Sequence, residues 1–255
     1  MQLHHKHYGH GQPMIILHGL FGSADNWHGV APILAQQFSV FCLDLRNHGH
    51  SPHSAEMNFE VMAQDVARFI HTHHLSEAVV LGHSLGGKVA MQLALDRPEM
   101  LRSIIVADIA PRAYDAAHEP ILDALLAVDL NAHHSRSEIQ HALAASIPDD
   151  TTRRFLLKNV AGDGHGTFRW KPNLRDIRAS YARLIEAIPG ASGKQFDKPA
   201  LFLRGGKSDY VSDADWPGIK HLYPNAKLAT LCEAGHWLHA DCPDQFVANV
   251  LEFLS

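Results

Sequence analysis

Short apolar runs alternate with longer amphipathic stretches along most of the chain. The runs are rich in β-branched and aromatic residues and are bounded by turn residues, which is typical of buried strands. The predicted strands span residues 13–17, 38–43, 78–81, 101–107, 199–203 and 227–232. Residues 2–8 predict a further strand at the edge of the sheet. Because helical patterns separate the runs, we expect an α/β fold with a mostly parallel sheet flanked by helices.

Three helices are predicted from their spacing and their ends. Residues 58–74 place apolar side chains on one stripe, and the final helix at 243–254 is amphipathic. Asp25 or Asn26 can cap another helix that continues to about Gln37. The apolar stripe of the first of these helices consists of Phe59, Met62, Val66, Phe69 and Ile70.

The strand pattern stops between about residues 112 and 190, where helical segments follow one another. We expect a helical cap, 112–190, inserted into a core formed by 1–111 and 191–255. The predicted cap helices span 119–130, 137–145, 150–159 and 174–188. Their apolar residues could line an acyl pocket at the edge of the sheet, or they could hold the cap together. These residues include Leu122, Leu125, Leu126, Phe155, Leu156 and Trp170.

Composition narrows the class of protein. A chain of 255 residues with 46% hydrophobic and 19% charged residues is an ordinary globular protein of one large domain. The formal charge of −5 gives no basic surface for nucleic acid, and no apolar run has the length of a membrane span. No signal peptide is recognisable at the start of the sequence, and three cysteines without C-x-x-C spacing indicate reduced thiols. We therefore expect a cytoplasmic protein.

Histidine is unusually frequent, with 21 residues, several of them in adjacent pairs. A metal site is one interpretation, but the H-E-x-x-H arrangement and a converging set of carboxylates are missing from the sequence. We therefore interpret the paired histidines as surface residues and predict no metal or other cofactor.

The segment Gly82-His83-Ser84-Leu85-Gly86 lies where a predicted strand changes into a predicted helix. A Gly-x-Ser-x-Gly motif in this context predicts a nucleophile elbow, in which a strained turn exposes the serine hydroxyl at the carboxyl edge of the sheet. The same turn directs the Leu85 N–H and the helix N-terminus towards a developing negative charge.

A serine hydroxyl needs a base, an acid and oxyanion donors to act as a nucleophile. His236 is the best candidate for the base because it follows the last predicted strand. Two residues are candidates for the acid. Asp108 ends the strand after the elbow helix, and Asp209 follows the next-to-last strand. Position along the chain leaves both open.

Several neighbours are expected to support this chemistry. The N–H groups of Leu20 and Leu85 are candidates for the oxyanion hole. His18 ends a buried strand and is expected to shape the loop that carries Leu20, while His83 is assigned to packing or to the pocket wall. His239 is expected to support the site from behind.

Motifs spread over nearly the whole chain resemble the α/β-hydrolase superfamily, and specifically its YbfF-like esterase group. They are His-Gly-Leu-Phe-Gly-Ser at 18–23, Asp-Leu-Arg-Asn-His-Gly at 44–49, Gly-His-Ser-Leu-Gly-Gly-Lys-Val-Ala at 82–90, Ala-Asp-Ile-Ala-Pro at 107–111, Phe-Arg-Trp-Lys at 168–171 and Gly-His-Trp at 235–237. Arg-Asn-His-Gly and Phe-Arg-Trp-Lys are the more group-specific of these. The resemblance implies an α/β-hydrolase fold with an inserted cap.

The same resemblance implies a serine hydrolase that needs no cofactor and cleaves carboxylic esters, with acyl-CoA thioesters as further substrates. It implies that Asp108 is the acid, because the position that matches Asp209 need not be acidic in the group. His18, His83, Trp170 and Trp237 are candidates to contact the small-molecule substrate.

Two alternatives stay open at this point. The same residues could hydrolyse a C–C bond or form a peracid, since one fold supports several chemistries. The second alternative is a non-catalytic binding protein with a hydrolase fold, although the presence of Ser84 and His236 argues against it.

Overall fold

A seven-stranded sheet runs through the centre of the computed structural model, which describes residues 1–163, 167–188 and 193–255. Across this sheet the strand order is β1-β3-β2-β4-β5-β8-β9, and the short strands β6 and β7 form a separate hairpin. In chain order the strands are β1 (His5–Tyr8), β2 (Gln12–Leu17), β3 (Phe38–Leu43), β4 (Ala78–His83), β5 (Leu101–Ala107), β6 (Val160–Gly162), β7 (Phe168–Trp170), β8 (Ala200–Gly205) and β9 (Ala226–Leu231).

The central sheet is parallel except at one edge. Strand β1 pairs antiparallel with β3, whereas β3, β2, β4, β5, β8 and β9 pair parallel with one another. Every residue of β4 is buried, as a near-continuous apolar run predicts for a strand covered on both faces. The mostly parallel α/β sheet predicted from the sequence is therefore confirmed.

Helices cover both faces of the sheet. In chain order they are α1 (Ala31–Leu34), α2 (Phe59–Thr72), α3 (Leu85–Asp96), α4 (Glu119–Ala127), α5 (Arg136–Ala142), α6 (Asp150–Leu157), α7 (Leu174–Leu184), α8 (Trp216–Leu222), α9 (Leu238–Asp241) and α10 (Pro243–Leu254). One buried apolar cluster contains residues of α2, α3 and α8, and a second contains residues of α1 and α10.

The helix predicted at 58–74 is present as α2. The side chain of Asn58 accepts a hydrogen bond from the Val61 N–H at 2.9 Å and so caps the first turn. The predicted apolar stripe is buried against the sheet.

The helix predicted from Asp25 or Asn26 to Gln37 is wrong as a single element. The chain forms a 3₁₀ turn at Ala24–Trp27 and then the short α1. Pro32 has no N–H to continue a hydrogen-bonded ladder, but it is well placed in the first turn of a new helix.

In the described part of the chain, four α-helices, a 3₁₀ turn at Leu130–Ala132 and one hairpin separate β5 from β8. The β6–β7 hairpin is missing from the sequence prediction, because three-residue strands are too short to produce a recognisable alternation of polar and apolar positions. The division into a core of 1–111 and 191–255 and a cap of 112–190 stays a prediction. Its second boundary lies outside the described residues.

The two ends of this insertion lie against each other. The Tyr114 N–H donates to the Ile185 carbonyl at 2.8 Å, and the Ile188 N–H donates to the Pro111 carbonyl at 2.9 Å. Residues 111–114 and 185–188, on either side of the four helices, are therefore held together close to the end of β5.

Candidate active site

Ser84 lies in a sharp turn between β4 and α3. Its φ of 52° and ψ of −118° are strained for a residue with a side chain, and its surface is 9% exposed. A side chain on Gly82 would overlap the carbonyl of Gly86, so only glycine permits the strand and helix to approach this closely. The turn has the conformation that the motif predicts.

Asp108 and His236 are joined by a hydrogen bond. His236 Nδ1 lies 2.8 Å from Asp108 Oδ2, although the two residues are 128 positions apart. Asp108 is fully buried directly after β5, and its own φ is 53°. Its carboxylate also accepts hydrogen bonds from the Gly205 N–H at 3.0 Å and from the Ser208 hydroxyl. These contacts hold the carboxylate against one ring nitrogen of His236.

Asp209 occupies a different environment. It is exposed and lies at the wall of a cavity that Ser84 also lines. The carboxylate that is hydrogen-bonded to His236 belongs to Asp108. The role of either residue stays a prediction, but the geometry favours Asp108.

Sequence reasoning missed two residues that hold this pair in place. The ring of Tyr210 stacks on His236 with centroids 3.9 Å apart, and Ser208 donates to Asp108. Both lie in the loop after β8, where the sequence indicated only Asp209 as a candidate. The position of Ser208 next to Asp209 was the signal that could have identified it.

Leu85 directly follows Ser84 in the elbow, and Leu20 lies in the loop after β2. A Cβ atom on Gly19 would come 3.2 Å from the Ser84 Cβ, so the loop that carries Leu20 touches the elbow. Among the described residues, the Leu20 N–H has no hydrogen-bond partner, and the Leu85 N–H is the first of α3 and has no acceptor within the helix. Both donors are available, as an oxyanion hole requires.

Asp44 fixes the loop that carries Leu20. It is buried, and its carboxylate accepts hydrogen bonds from the Ala24 N–H at 2.7 Å and from the His50 N–H at 2.8 Å. The segments that follow β2 and β3 are thereby held together.

Both ring nitrogens of His18 form hydrogen bonds with backbone groups. Its Nδ1 lies 2.8 Å from the Gly19 carbonyl, and its Nε2 accepts the Leu45 N–H at 2.9 Å. Burial lowers the pKa of His18, which agrees with a neutral ring in this arrangement. His18 therefore shapes the loop, as its position in the sequence predicts.

His83 and His239 form a buried layer beside His236. The His83 Nε2 lies 2.8 Å from the His236 carbonyl, and the His239 ring stacks on Trp27 at 4.3 Å. Burial lowers the pKa of His83 well below its ordinary value and that of His239 to about 3, so both rings are neutral at neutral pH.

The two candidate tryptophans lie in different places. Trp237 lines a cavity with Ser84 and His236, and its ring lies 5.5 Å from that of Phe155. Trp170 pairs with Val160 in the hairpin and packs against the apolar core. Contact with substrate stays a prediction for both, and the structure favours it for Trp237.

Two cavities meet at Ser84. The first, the Lys88 cavity, has a volume of about 310 Å³, and the second, the His236 cavity, has a volume of about 230 Å³. The Lys88 cavity is lined by Leu20, Ser84, Leu85, Lys88, Ile109, Arg112, Tyr114, Asp115, Ala117, His118, Tyr181, Leu184, Ile185, Asp209 and Tyr210. The His236 cavity is lined by His18, Gly19, Leu20, Phe21, Gly22, Asn26, Trp27, His83, Ser84, His118, Ile121, Thr152, Phe155, Leu156, Tyr210, His236, Trp237 and His239.

The apolar cap residues singled out in the sequence divide between the two alternatives. Phe155 and Leu156 line the His236 cavity, whereas Leu122 and Leu125 are buried in the apolar core. Leu126 is exposed on the surface. Helical spacing identifies an apolar face, but it does not distinguish a cavity wall from a packing contact.

Lys88, one turn into α3, joins both ends of the insertion. It is only 2% exposed, and its Nζ donates to the Arg112 carbonyl at 2.9 Å and to the Glu186 carbonyl. The same atom lies 5.2 Å from the centre of the Phe59 ring and 4.9 Å from that of Tyr114. Burial lowers the pKa of Lys88 to about 7, with a smaller contribution from Arg112 in the same direction.

We expect Lys88→Met to remove a pH-dependent part of the stability. The folded-state pKa of about 7 lies below the ordinary value of 10.5, so the unfolded chain binds more protons here between these pH values. Lys88 therefore contributes stability that grows as the pH rises through this window. Denaturant unfolding at about pH 6.5 and about pH 9.5 should show a larger advantage of the wild type over Lys88→Met at the higher pH. An equal advantage at both pH values would contradict the assignment.

Two histidines outside the site, His5 and His73, pack on an aromatic ring. The His5 and His73 rings lie 5.0 Å and 4.2 Å from that of Phe69. In the described ranges, no group of three or more His, Cys, Asp or Glu side chains is arranged to hold a metal ion. No helix within these ranges is long and apolar enough to cross a bilayer.

Comparison with known proteins agrees with this architecture. A family model described as "alpha/beta hydrolase fold" matches residues 12–243. The sn-1-specific diacylglycerol lipase ABHD11 of Danio rerio is 33% identical over 255 residues, covering 96% of this chain and 79% of its own length. Esterase YbfF of Escherichia coli K12 is 32% identical over 246 residues, covering 95% of this chain and 93% of its own length. A solved structure, "Marine microorganism esterase", has a TM-score of 0.95 at 41% identity and covers 99% of both chains.

A mostly parallel sheet of this order, with a strained serine turn at the end of a central strand, defines a hydrolase of the α/β type. The chain belongs to the α/β-hydrolase family, and within it to the YbfF-like esterase group. The resemblance seen in the sequence motifs is confirmed.

Proposed function

We propose that this protein is a serine esterase that acts through an acyl-enzyme on Ser84. The observation that carries the proposal is the hydrogen bond between His236 and the buried Asp108, with His236 and Ser84 lining one cavity. In this proposal Ser84 is the nucleophile, His236 the general base and Asp108 the orienting acid.

Acylation begins when Ser84 Oγ attacks the ester carbonyl carbon and its proton passes to the free ring nitrogen of His236. The Asp108 carboxylate holds the other nitrogen, Nδ1, and stabilises the positive charge that the ring acquires. The C–O bond to the alcohol then breaks, and the imidazolium gives its proton to the leaving oxygen. Water repeats the sequence on the acyl-enzyme and releases the carboxylic acid and free Ser84.

The negative charge of each tetrahedral intermediate needs fixed donors. The N–H groups of Leu20 and Leu85 flank Ser84 and are the proposed donors. Loss of one such donor costs about 3 kcal/mol of transition-state stabilisation, so their placement matters nearly as much as that of the side chains.

The proposed substrates are small carboxylic esters. Relatives of this chain carry the names esterase and diacylglycerol lipase, which supports an ester bond as the target. Acyl-CoA thioesters are a further proposed class, since the same attack on a carbonyl carbon releases a thiol instead of an alcohol. The cytoplasmic location stays a prediction from the sequence.

A short p-nitrophenyl ester tests the proposal. We expect a burst of one p-nitrophenol per active site or steady turnover, and a phosphonate ester probe should label Ser84, as identified by mass spectrometry of the peptides. Labelling at another residue would contradict the role of Ser84. Hydrolysis of a β-diketone C–C bond without ester turnover would instead favour the alternative chemistry on the same residues.

A further inference from the structure

The position of His236 distinguishes the two cavities that meet at Ser84. Ser84, Leu20, His118 and Tyr210 line both cavities. Among the described residues, His236 forms part of the wall of the second cavity and is not part of the wall of the first. A substrate bound at Ser84 can therefore place one of its two halves on each side.

The chemistry of acylation requires one half of the ester to lie beside His236. When the C–O bond to the alcohol breaks, the electron pair of that bond stays on the alcohol oxygen, which takes the proton that His236 received from Ser84. Direct transfer requires this oxygen to lie within hydrogen-bond reach of the imidazole. The alcohol half must then leave through the cavity that the imidazole lines.

Deacylation imposes the same direction on water. The attacking water gives its proton to His236 while its oxygen bonds to the acyl carbon, so it approaches from the side that the alcohol has left. The wall of this cavity is mostly aliphatic and aromatic, and Asn26, Thr152 and the histidine rings supply polar groups that a passing water can contact. The acyl group stays bonded to Ser84 throughout and needs a separate space.

We propose that the Lys88 cavity binds the acyl chain and that the His236 cavity binds the alcohol half of the ester. The wall of the Lys88 cavity offers apolar contact to an aliphatic chain through Leu85, Ile109, Ala117, Leu184 and Ile185. Charged side chains, those of Lys88, Arg112, Asp115 and Asp209, also line this cavity, so the assignment rests on the position of His236 and not on a difference in apolarity. Its volume of about 310 Å³ lies at the lower end of the range for small-molecule sites and suits one chain rather than two. This assignment rests on the proposed esterase function.

Two matched isoleucines allow a crossed test. Ile185 and Ile121 are both half-buried and both pack against the same apolar core. Ile185 lines the Lys88 cavity but not the His236 cavity, and Ile121 lines the His236 cavity but not the Lys88 cavity. Ile185→Trp and Ile121→Trp therefore add the same volume to different sides of Ser84.

The substrates vary one half of the ester at a time. For the acyl side, kcat/KM is measured for p-nitrophenyl octanoate and p-nitrophenyl acetate. For the alcohol side, it is measured for octyl acetate and ethyl acetate. We expect Ile185→Trp to lower the octanoate-to-acetate ratio at least about tenfold and to leave the octyl-to-ethyl ratio unchanged, and Ile121→Trp to do the reverse.

The opposite pattern, or two variants that change neither ratio, would overturn the assignment. A crystal structure of the adduct with an octylphosphonate probe gives a second readout, and an octyl chain in the His236 cavity would also overturn it. If Ile185→Trp does not fold, Ala117→Phe fills the same cavity from an exposed position. Absence of ester hydrolysis in the unmodified protein would instead refute the proposed function, and the assignment with it.

Discussion

Ser84→Ala is expected to lower kcat for ester hydrolysis by about a millionfold, because no other group can form the acyl-enzyme in its place. The change removes one oxygen from a side chain that is 9% exposed, and the strained turn accepts alanine as readily as serine. Hydrolysis of p-nitrophenyl acetate measures the loss, and thermal unfolding verifies that the fold is retained.

Ser103→Ala is the matched control. Ser103 is a buried serine on β5, and its hydroxyl has no hydrogen-bond partner among the described residues. Its removal should leave turnover within about twofold of the wild type, since surface and structural hydroxyls far from a site act mainly on stability. Equal loss in both variants would mean that the effect arises from the fold and not from a nucleophile.

Asp108→Asn is expected to lower kcat by about ten thousandfold. The carbonyl oxygen of the substituted amide can still accept the hydrogen bond from the Gly205 N–H, but its NH₂ group is a donor and cannot accept the hydrogen bond that His236 Nδ1–H donates. The imidazole of His236 is then held in the wrong tautomer. The negative charge of the Asp108 carboxylate, which stabilises the imidazolium, is also lost. Steady-state kinetics on the same ester, with KM and kcat separated, measure this loss.

Asp209→Asn decides between the two candidate acids. Because Asp209 is exposed while Asp108 holds the hydrogen bond to His236, we expect this variant to lose less than about tenfold in kcat. A large loss confined to Asp209→Asn would transfer the role of the acid to Asp209. A large loss in both variants would indicate that the two carboxylates share it.

The elements that the sequence predicted well are those with long or repeated patterns. The buried strand at 78–83 begins with an unbroken apolar run at 78–81 that leads into the elbow, and the helix at 59–72 carries five apolar residues at helical spacing and a capping Asn58. In each case, the spacing of apolar residues within the element itself indicates which of its side chains are buried. The β6–β7 hairpin and the break after Trp27 gave no such signal, because elements of three or four residues are too short to show a repeating pattern.

Within the site, the features that the sequence predicts are those formed by residues close together along the chain. The Gly-x-Ser-x-Gly elbow is local, so its residues predict its strained geometry. The acid is not local, because β5 and β8 are neighbours in the sheet and both end at the same edge, which places Asp108 and Asp209 in comparable positions. The stacking of Tyr210 on His236 and the two carbonyl contacts of Lys88 join segments that no sequence motif connects.

By itself, the sequence determined the α/β class, the positions of the main strands along the chain, the elbow at Ser84 and the group of candidate residues. Folding decided which carboxylate faces His236, how two cavities divide the space around Ser84, and that Lys88 is buried where the insertion meets the core. The physical reason is that periodicity and turn chemistry act over a few residues. Hydrogen bonds, burial and cavity shape depend instead on which distant segments the sheet brings together.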